Sequence, residues 1–411
     1  MVAGGRLSVV VRADCQPRDS SFSLLPVLRS VAMAAPSAVP PPPSELAVRT
    51  CGVAGITLVA FIGVGLLASC MLLASCKVEL LPKPLTLDVA LHGEVTHKLA
   101  KQLSGTFLAQ RAANIERGAS WLLFHDTGPR VRQGCPGWLF LTDEFRLNRD
   151  AQANAQHKAQ AVIDVQRSLK KRGIDLLVAV VPDKSRIAAA QLCGLYRPEV
   201  QQARVVQWTN SLKEAGVDTL DLTTTLQPLG DTAYLRTDTH WSESGANAAA
   251  RALALHLRKV GFRATPQRQF QTSIAPIAER PGDLVRLAGL DWLPLSLQPA
   301  PQSVAATQIT ELASEAASGG DNLDDLFGDS NLPNVALIGT SFSRNSGFTG
   351  FLQRELGAPI GSFARDGGEF SGAANVYFDN PAFRQTPPKR VIWEIPERDL
   401  QTVYEVINLR P

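Results

Sequence analysis

Histidine and cysteine are scarce in this chain, with six of each among 411 residues. No histidines stand as H-x-x-E-H and no cysteines as C-x-x-C, so neither a metal set nor a cofactor motif is read. Charge of one sign is missing as well. The formal net charge is +3, and no basic tract with interleaved aromatics occurs, which argues against nucleic acid as a partner. No internal repeat is visible. At 45% hydrophobic and 19% charged residues, the chain has the balance of a globular protein with something more apolar attached.

That apolar part is the stretch Cys51 to Ser75, which carries no charge at all. About 20 apolar residues at a helical rise cross a bilayer core, so 51–76 reads as a transmembrane signal anchor. Arg6, Arg12, Arg18, Arg29 and Arg49 precede it, against Asp14, Asp19 and Glu45. This bias puts the N-terminus in the cytoplasm and the body outside. For a bacterial cell that means a single pass through the inner membrane with a periplasmic domain. A second reading stays open, because Leu67–Cys70 and Leu73–Cys76 both look like lipoprotein processing boxes. The run exceeds the roughly 7–15 residues of a signal core, which favours the anchor. Residues 1–50, with Pro40 to Pro43 near their end, read as disordered, and Met33 is an alternative start. Outside the cytoplasm disulfides are stable. Cys135 and Cys193, each beside turn residues, are the cysteines beyond the anchor, and either a bridge or two thiols fits.

Past a connector at 77–130, strand-like and helical runs alternate. Apolar runs at 137–141, 175–182, 217–222, 335–338, 360–364 and 390–395 read as strands. Helices are expected over 153–171, 199–215, 243–260 and 347–356, the third capped by Ser242. This order implies an α/β domain, 131–411, with a doubly wound, mostly parallel sheet. Residues 264–333 are rich in Pro, Gln, Ser and Gly with weak periodicity, and read as an insertion or cap.

Two short patterns carry chemistry. Ser341, in Gly339-Thr340-Ser341-Phe342-Ser343, follows a strand and precedes a helix, and in such sheets sites lie at the carboxyl ends of strands. Gly339 would let the chain turn sharply there. Alone, Ser341 reads better as a helix cap. Thr237-Asp238-Thr239-His240-Trp241 supplies an imidazole to take the serine proton and a carboxylate to orient it. Alone, that pattern is short and common. Together, both lie in loops before helices of one domain, and they form a candidate triad.

Thr237–Gly245 with Gly339–Ser343 resembles the SGNH hydrolase-like domain of the alginate O-acetyltransferase family, of the AlgJ and AlgX type. Residues 137–141, 181–186 and 393–398 match it as well, in family order across roughly 130–400. The resemblance implies a Ser341–His240–Asp238 triad and an exported polysaccharide as acceptor. It also implies a membrane-bound O-acyltransferase as the acetyl source. Asp and His precede Ser, opposite to ordinary SGNH esterases, and Thr340 stands where those have Asp. Counterparts of their Gly and Asn oxyanion blocks are absent, which leaves Ser341 N–H with Arg344 or Asn345 as expected donors. Lys184 and Arg186 are candidates for an anionic sugar or plain strand-end charges. Tyr377 with Gly367-Gly368 is expected to line the site. Trp241 either stacks on a pyranose ring or walls the His240 loop. Two rival functions use the same residues: an envelope carbohydrate acetylesterase, and a polysaccharide-binding scaffold with an inactive triad.

Overall fold

A computed structural model of the chain describes residues 52–74, 86–312 and 332–407. The expectations for 1–50, and parts of those for the cysteine box at 73–76, the connector and the insertion, lie outside the described residues.

The chain divides into two units, 1–71 and 72–411. In the first, a helix begins at Gly52 and runs on to Ala74. Its stretch Gly52–Met71 has a mean hydropathy of 2.3 and is 0% buried, long and apolar enough to cross a membrane. Thr57 and Ser69 donate to the carbonyls of Val53 and Gly65, one turn back, at 2.8 Å each. Both hydroxyls are thus satisfied inside the helix, as hydrocarbon surroundings require.

In the second unit three helices, Leu87–Leu91, Glu94–Ser104 and Phe107–Phe124, lead into the strands. Strands β1 (Val131–Gln133) and β2 (Leu139–Leu141) form a short antiparallel ribbon. Then β3 (Asp175–Val181) and β4 (Asp218–Asp221) begin the main sheet. A long antiparallel hairpin follows, made of β5 (Phe270–Arg280) and β6 (Gln302–Glu311). Strands β7 (Val335–Ile338), β8 (Gly361–Ser362) and β9 (Arg390–Pro396) complete a five-stranded sheet in the order β4–β3–β9–β7–β8. Every pairing in it is parallel.

The alternation of side chains along β3 explains the two layers. Leu176, Val178 and Val180 share one apolar cluster with helices Ala151–Lys171, Arg204–Glu214 and Gly372–Asp379. Leu177, Ala179 and Val181 point the other way, onto helices Glu243–Lys259 and Phe348–Leu356. Buried on both faces, these strands are apolar throughout. The expected doubly wound α/β fold is therefore present, with Ser242 accepting from Gly245 N at the head of its helix. The hairpin β5–β6 is the element that weak periodicity within 264–333 concealed.

Candidate active site

The strand β7 ends at Ile338, and Gly339 and Thr340 carry the chain to Ser341 at the head of the turn Ser341–Arg344. Gly339 is there for a different reason from the sharp turn expected. A Cβ at this position would stand 2.6 Å from Glu394 Oε2 and 2.9 Å from Ser343 Oγ. The buried Glu394, from β9, accepts from Thr340 N at 2.7 Å, Thr340 Oγ1 at 3.0 Å and Ser343 Oγ at 3.0 Å. Burial raises the pKa of Glu394 despite these three donors. Thr340, standing where esterases of this fold have Asp, thus anchors the serine loop to a neighbouring strand instead.

The second loop meets the first over this sheet edge. His240 Nε2 lies 2.7 Å from Ser341 Oγ, and His240 Nδ1 lies 2.6 Å from Asp238 Oδ1. The same carboxylate oxygen accepts from His240 N at 2.9 Å, which closes a tight Asp–His turn. Burial would raise the pKa of Asp238, but the hydrogen bonds and charge of His240, with Arg280, hold it down at about 2. Nδ1 therefore faces an anion and Nε2 faces the serine, the arrangement that lets imidazole take the hydroxyl proton. Asp238, Thr239, His240, Thr340 and Ser341 all line one cleft of about 610 Å³.

Lys184 has a role that neither sequence reading contains. It is buried, and its Nζ donates to Leu139 O at 2.6 Å, Arg236 O at 2.8 Å and Asp238 O at 3.0 Å. All three ammonium protons are thus spent on backbone around the Asp238 loop, and none faces a sugar. Burial pushes its pKa down to about 7. Arg186 is also turned inward, bidentate on Glu397 at 2.8 and 2.7 Å. Trp241 is 0% exposed between Phe342 and Phe348, with ring centroids at 5.1 and 4.7 Å, so it walls the loop and stacks on no ligand. Tyr377 is a core residue packed on Phe363 at 4.3 Å, on the opposite face of the sheet from Trp241, and is not among the cleft residues, whereas Gly367 is. Arg344 points to solvent and pairs with Asp366 at 3.6 Å. Asn345 does line the cleft, but its Nδ2 donates to Ser341 O at 2.9 Å. Cys135 and Cys193 are joined in a disulfide.

Several residues of the site were given no role by the sequence reading. Arg398 lies over the Phe342 ring at 5.2 Å and lines the cleft, although its motif gave it no role. Glu394 interrupts the apolar run of β9, and a charge inside a buried strand was the available clue. Asp283 sits in a Pro-Gly-Asp turn that reads as an ordinary loop. Asp238, His240 and Asp283 offer one ligand atom each within 4.8 Å of one another. They do not read as a metal centre, since Nδ1 is committed to Asp238, and Asp283 accepts from Thr239 N and Oγ1.

Comparison with known proteins identifies the family. Residues 131–397 match the family described as SGNH hydrolase-like domain, acetyltransferase AlgX. The chain is 34% identical over 320 residues to the probable alginate O-acetylase AlgJ of Pseudomonas aeruginosa, which covers 75% of this chain and 81% of that protein. The protein of the same name from Azotobacter vinelandii is 29% identical over 322 residues, 77% of this chain and 81% of its own. The solved O-acetyltransferase domain of Pseudomonas putida AlgJ aligns with a TM-score of 0.58 at 28% identity, covering 68% of this chain and 95% of that one. The chain is a member of the SGNH hydrolase-like acetyltransferase family that includes AlgX and AlgJ.

Proposed function

We propose that this protein is an O-acetyltransferase that moves an acetyl group through an ester on Ser341 to hydroxyls of an exported polysaccharide. The observation that carries the reading is the unbroken relay Asp238–His240–Ser341, with both links at 2.6 and 2.7 Å and opening into a cleft. In the first half-reaction His240 takes the Ser341 proton, Ser341 Oγ attacks the acetyl carbonyl, and the protonated imidazole returns that proton to the leaving group. In the second, His240 draws a proton from a sugar hydroxyl, which attacks the acetyl-serine and regenerates the free hydroxyl. Asp238 holds Nδ1 toward itself in both halves and offsets the imidazolium charge. The N–H of Ser341 serves as an oxyanion donor in this reading. Arg344, held by Asp366, is not needed in this scheme.

The setting follows from the same features. The apolar helix anchors the chain by a single pass in the inner membrane, with the cleft on the periplasmic side. The acetyl group comes from a membrane-bound O-acyltransferase, the source that the family resemblance implies. Alginate is the polymer named for the relatives, and a related exopolysaccharide is the acceptor proposed for this chain.

The experiment offers the full-length protein in detergent an activated acetyl ester, with and without an oligosaccharide. Acetylated sugar in the presence of the oligosaccharide, lost in Ser341→Ala, is the expected result. Release of acetate alone at the same rate in both samples would make the protein an acetylesterase. Activity that survives in Ser341→Ala would remove the serine from the mechanism.

A further inference from the structure

The turn that follows β5 runs directly behind the Asp238–His240 loop. Asp283 Oδ1 accepts from Thr239 N at 2.7 Å, and its Oδ2 accepts from Thr239 Oγ1 at 2.5 Å. In return Asp283 N donates to Asp238 Oδ2 at 3.3 Å, and Leu284 N donates to Thr237 O at 3.2 Å. Contact this close requires Gly282, because a Cβ there would stand 1.7 Å from Thr237 O. The second oxygen of Asp283 also lies 3.6 Å from His240 Nδ1. Behind the imidazole there are thus two carboxylates, one in contact and one a step away.

Asp283 is the first residue of the short helix Asp283–Leu287. A helix-capping acid would spend its oxygens on the first amides of its own helix. Both oxygens of Asp283 instead go to Thr239, in another segment of the chain.

We propose that Asp283 is a positioning residue for the acetyl-transfer reaction: by gripping Thr239 it fixes the register of the Asp238–His240 loop, and its charge adds to that of Asp238 in stabilising the imidazolium. The inference rests on the reading of Ser341 as nucleophile and His240 as its base. Two features set Asp283 apart from a plain structural contact. Its two acceptor bonds straddle the residue that joins Asp238 to His240, so loss of either lets the imidazole swing relative to Ser341. Its anionic charge faces His240 on the side away from Ser341, where only the protonated ring gains from it. The cations near this pair are Arg280, 3.8 Å from Asp238 Oδ2, and Lys184, bonded to Asp238 O. Arg286 and Arg398 line the same cleft. Asp143, Asp366, Glu369 and Asp399 line it too, but with Asp283 neutralised Asp238 would be the one carboxylate left against His240 Nδ1 among the described residues.

The test uses full-length protein in detergent, with kcat, KM and the pH–rate profile measured on an acetyl ester, and melting temperature measured alongside. Asp283→Asn keeps the shape and removes the charge. KM should stay at the wild-type value, while kcat falls about tenfold, within the range that general-base function controls. Because an anion near His240 favours its protonated form, the acid limb of the profile should move to lower pH, by about one unit. Asp283→Glu should return the limb toward wild type, since it restores the charge. Thr239→Val removes one donor but no charge, and should lower kcat with the limb unmoved. Wild-type kcat and profile in Asp283→Asn would overturn the proposal. So would a lower rate with an unmoved limb and a matching fall in melting temperature, which is a structural role alone. If Asp283→Asn does not fold, wild-type kcat in Thr239→Val overturns it. Ser341→Ala separates the two levels. An inactive Ser341→Ala beside a normal Asp283→Asn defeats this inference only, whereas an active Ser341→Ala defeats the reading beneath it.

Discussion

At Gly339 a methyl group has nowhere to go. The Cβ of an alanine would press on Glu394 Oε2 at 2.6 Å and on Ser343 Oγ at 2.9 Å, both buried and both hydrogen-bonded to each other. Gly339→Ala should therefore cost about 1–3 kcal/mol, the usual penalty of overpacking, and should displace the serine loop. Chemical denaturation checks the first outcome and turnover of an acetyl ester the second. Lys184→Met makes the converse test. It removes the ammonium from three backbone carbonyls around the Asp238 loop, of which Arg236 O keeps Leu139 N as a donor at 2.9 Å, and should cost roughly 3 kcal/mol. Turnover should fall with it, while binding of sugar should not change, because Lys184 faces no cleft. The identities of Ser341, His240 and Asp238 were legible because each needs a particular side-chain chemistry at a loop. The orientations of Lys184, Arg186, Trp241 and Tyr377 were not. Sequence gives a side chain's chemistry and its element, but only packing decides whether a strand-end lysine turns out or in.

Elements are tied together by a buried ionic network at the carboxyl ends of β3 and β9. Glu397 accepts from Arg186, Arg197 and Arg204, with its shortest bond, 2.6 Å, to Arg197. Asp183 completes the network, through Arg204 and Arg197. Burial works against ionised Glu397, yet Arg186, Arg204 and Arg197 together hold its pKa at about 2, from an ordinary 4.5. A carboxylate with a depressed pKa stabilises the fold fully above its unfolded value. That contribution is lost as pH falls through the folded one. Wild type should therefore lose stability between about pH 4.5 and pH 2, and the stability of Glu397→Gln should fall less steeply there, by up to about 1.4 kcal/mol per pH unit. Denaturant titrations across that range decide it, and parallel curves would contradict the assignment. Strands of the main sheet were legible because burial on both faces makes them continuously apolar. The hairpin β5–β6 was not. Its first strand is almost wholly exposed, so no alternation marks it.

On the scale of the whole molecule, the disulfide Cys135–Cys193 closes a loop of 58 residues that runs from the end of β1 past β3. A cross-link over such a length restricts the unfolded chain by about 4 kcal/mol in the chain-entropy model. Cys135→Ser with Cys193→Ser should lower stability by about 2–4 kcal/mol, and so should reduction of the wild type. Cysteines outside the anchor, a charge-free helix and a triad in Asp–His–Ser order were the sequence features that pointed to acyl transfer at a membrane. Coupling between the two loops was invisible there, because Gly282, Asp283 and Glu394 act from segments 40 or more residues away. The account stands on one covalent event, and that event can be observed directly. The full-length protein is mixed with an acetyl ester, quenched in acid, digested and read by peptide mass spectrometry. An acetyl group on Ser341 is predicted, discharged when oligosaccharide is added before the quench and absent in His240→Ala. An unmodified Ser341 in a preparation that still acetylates sugar would contradict the account.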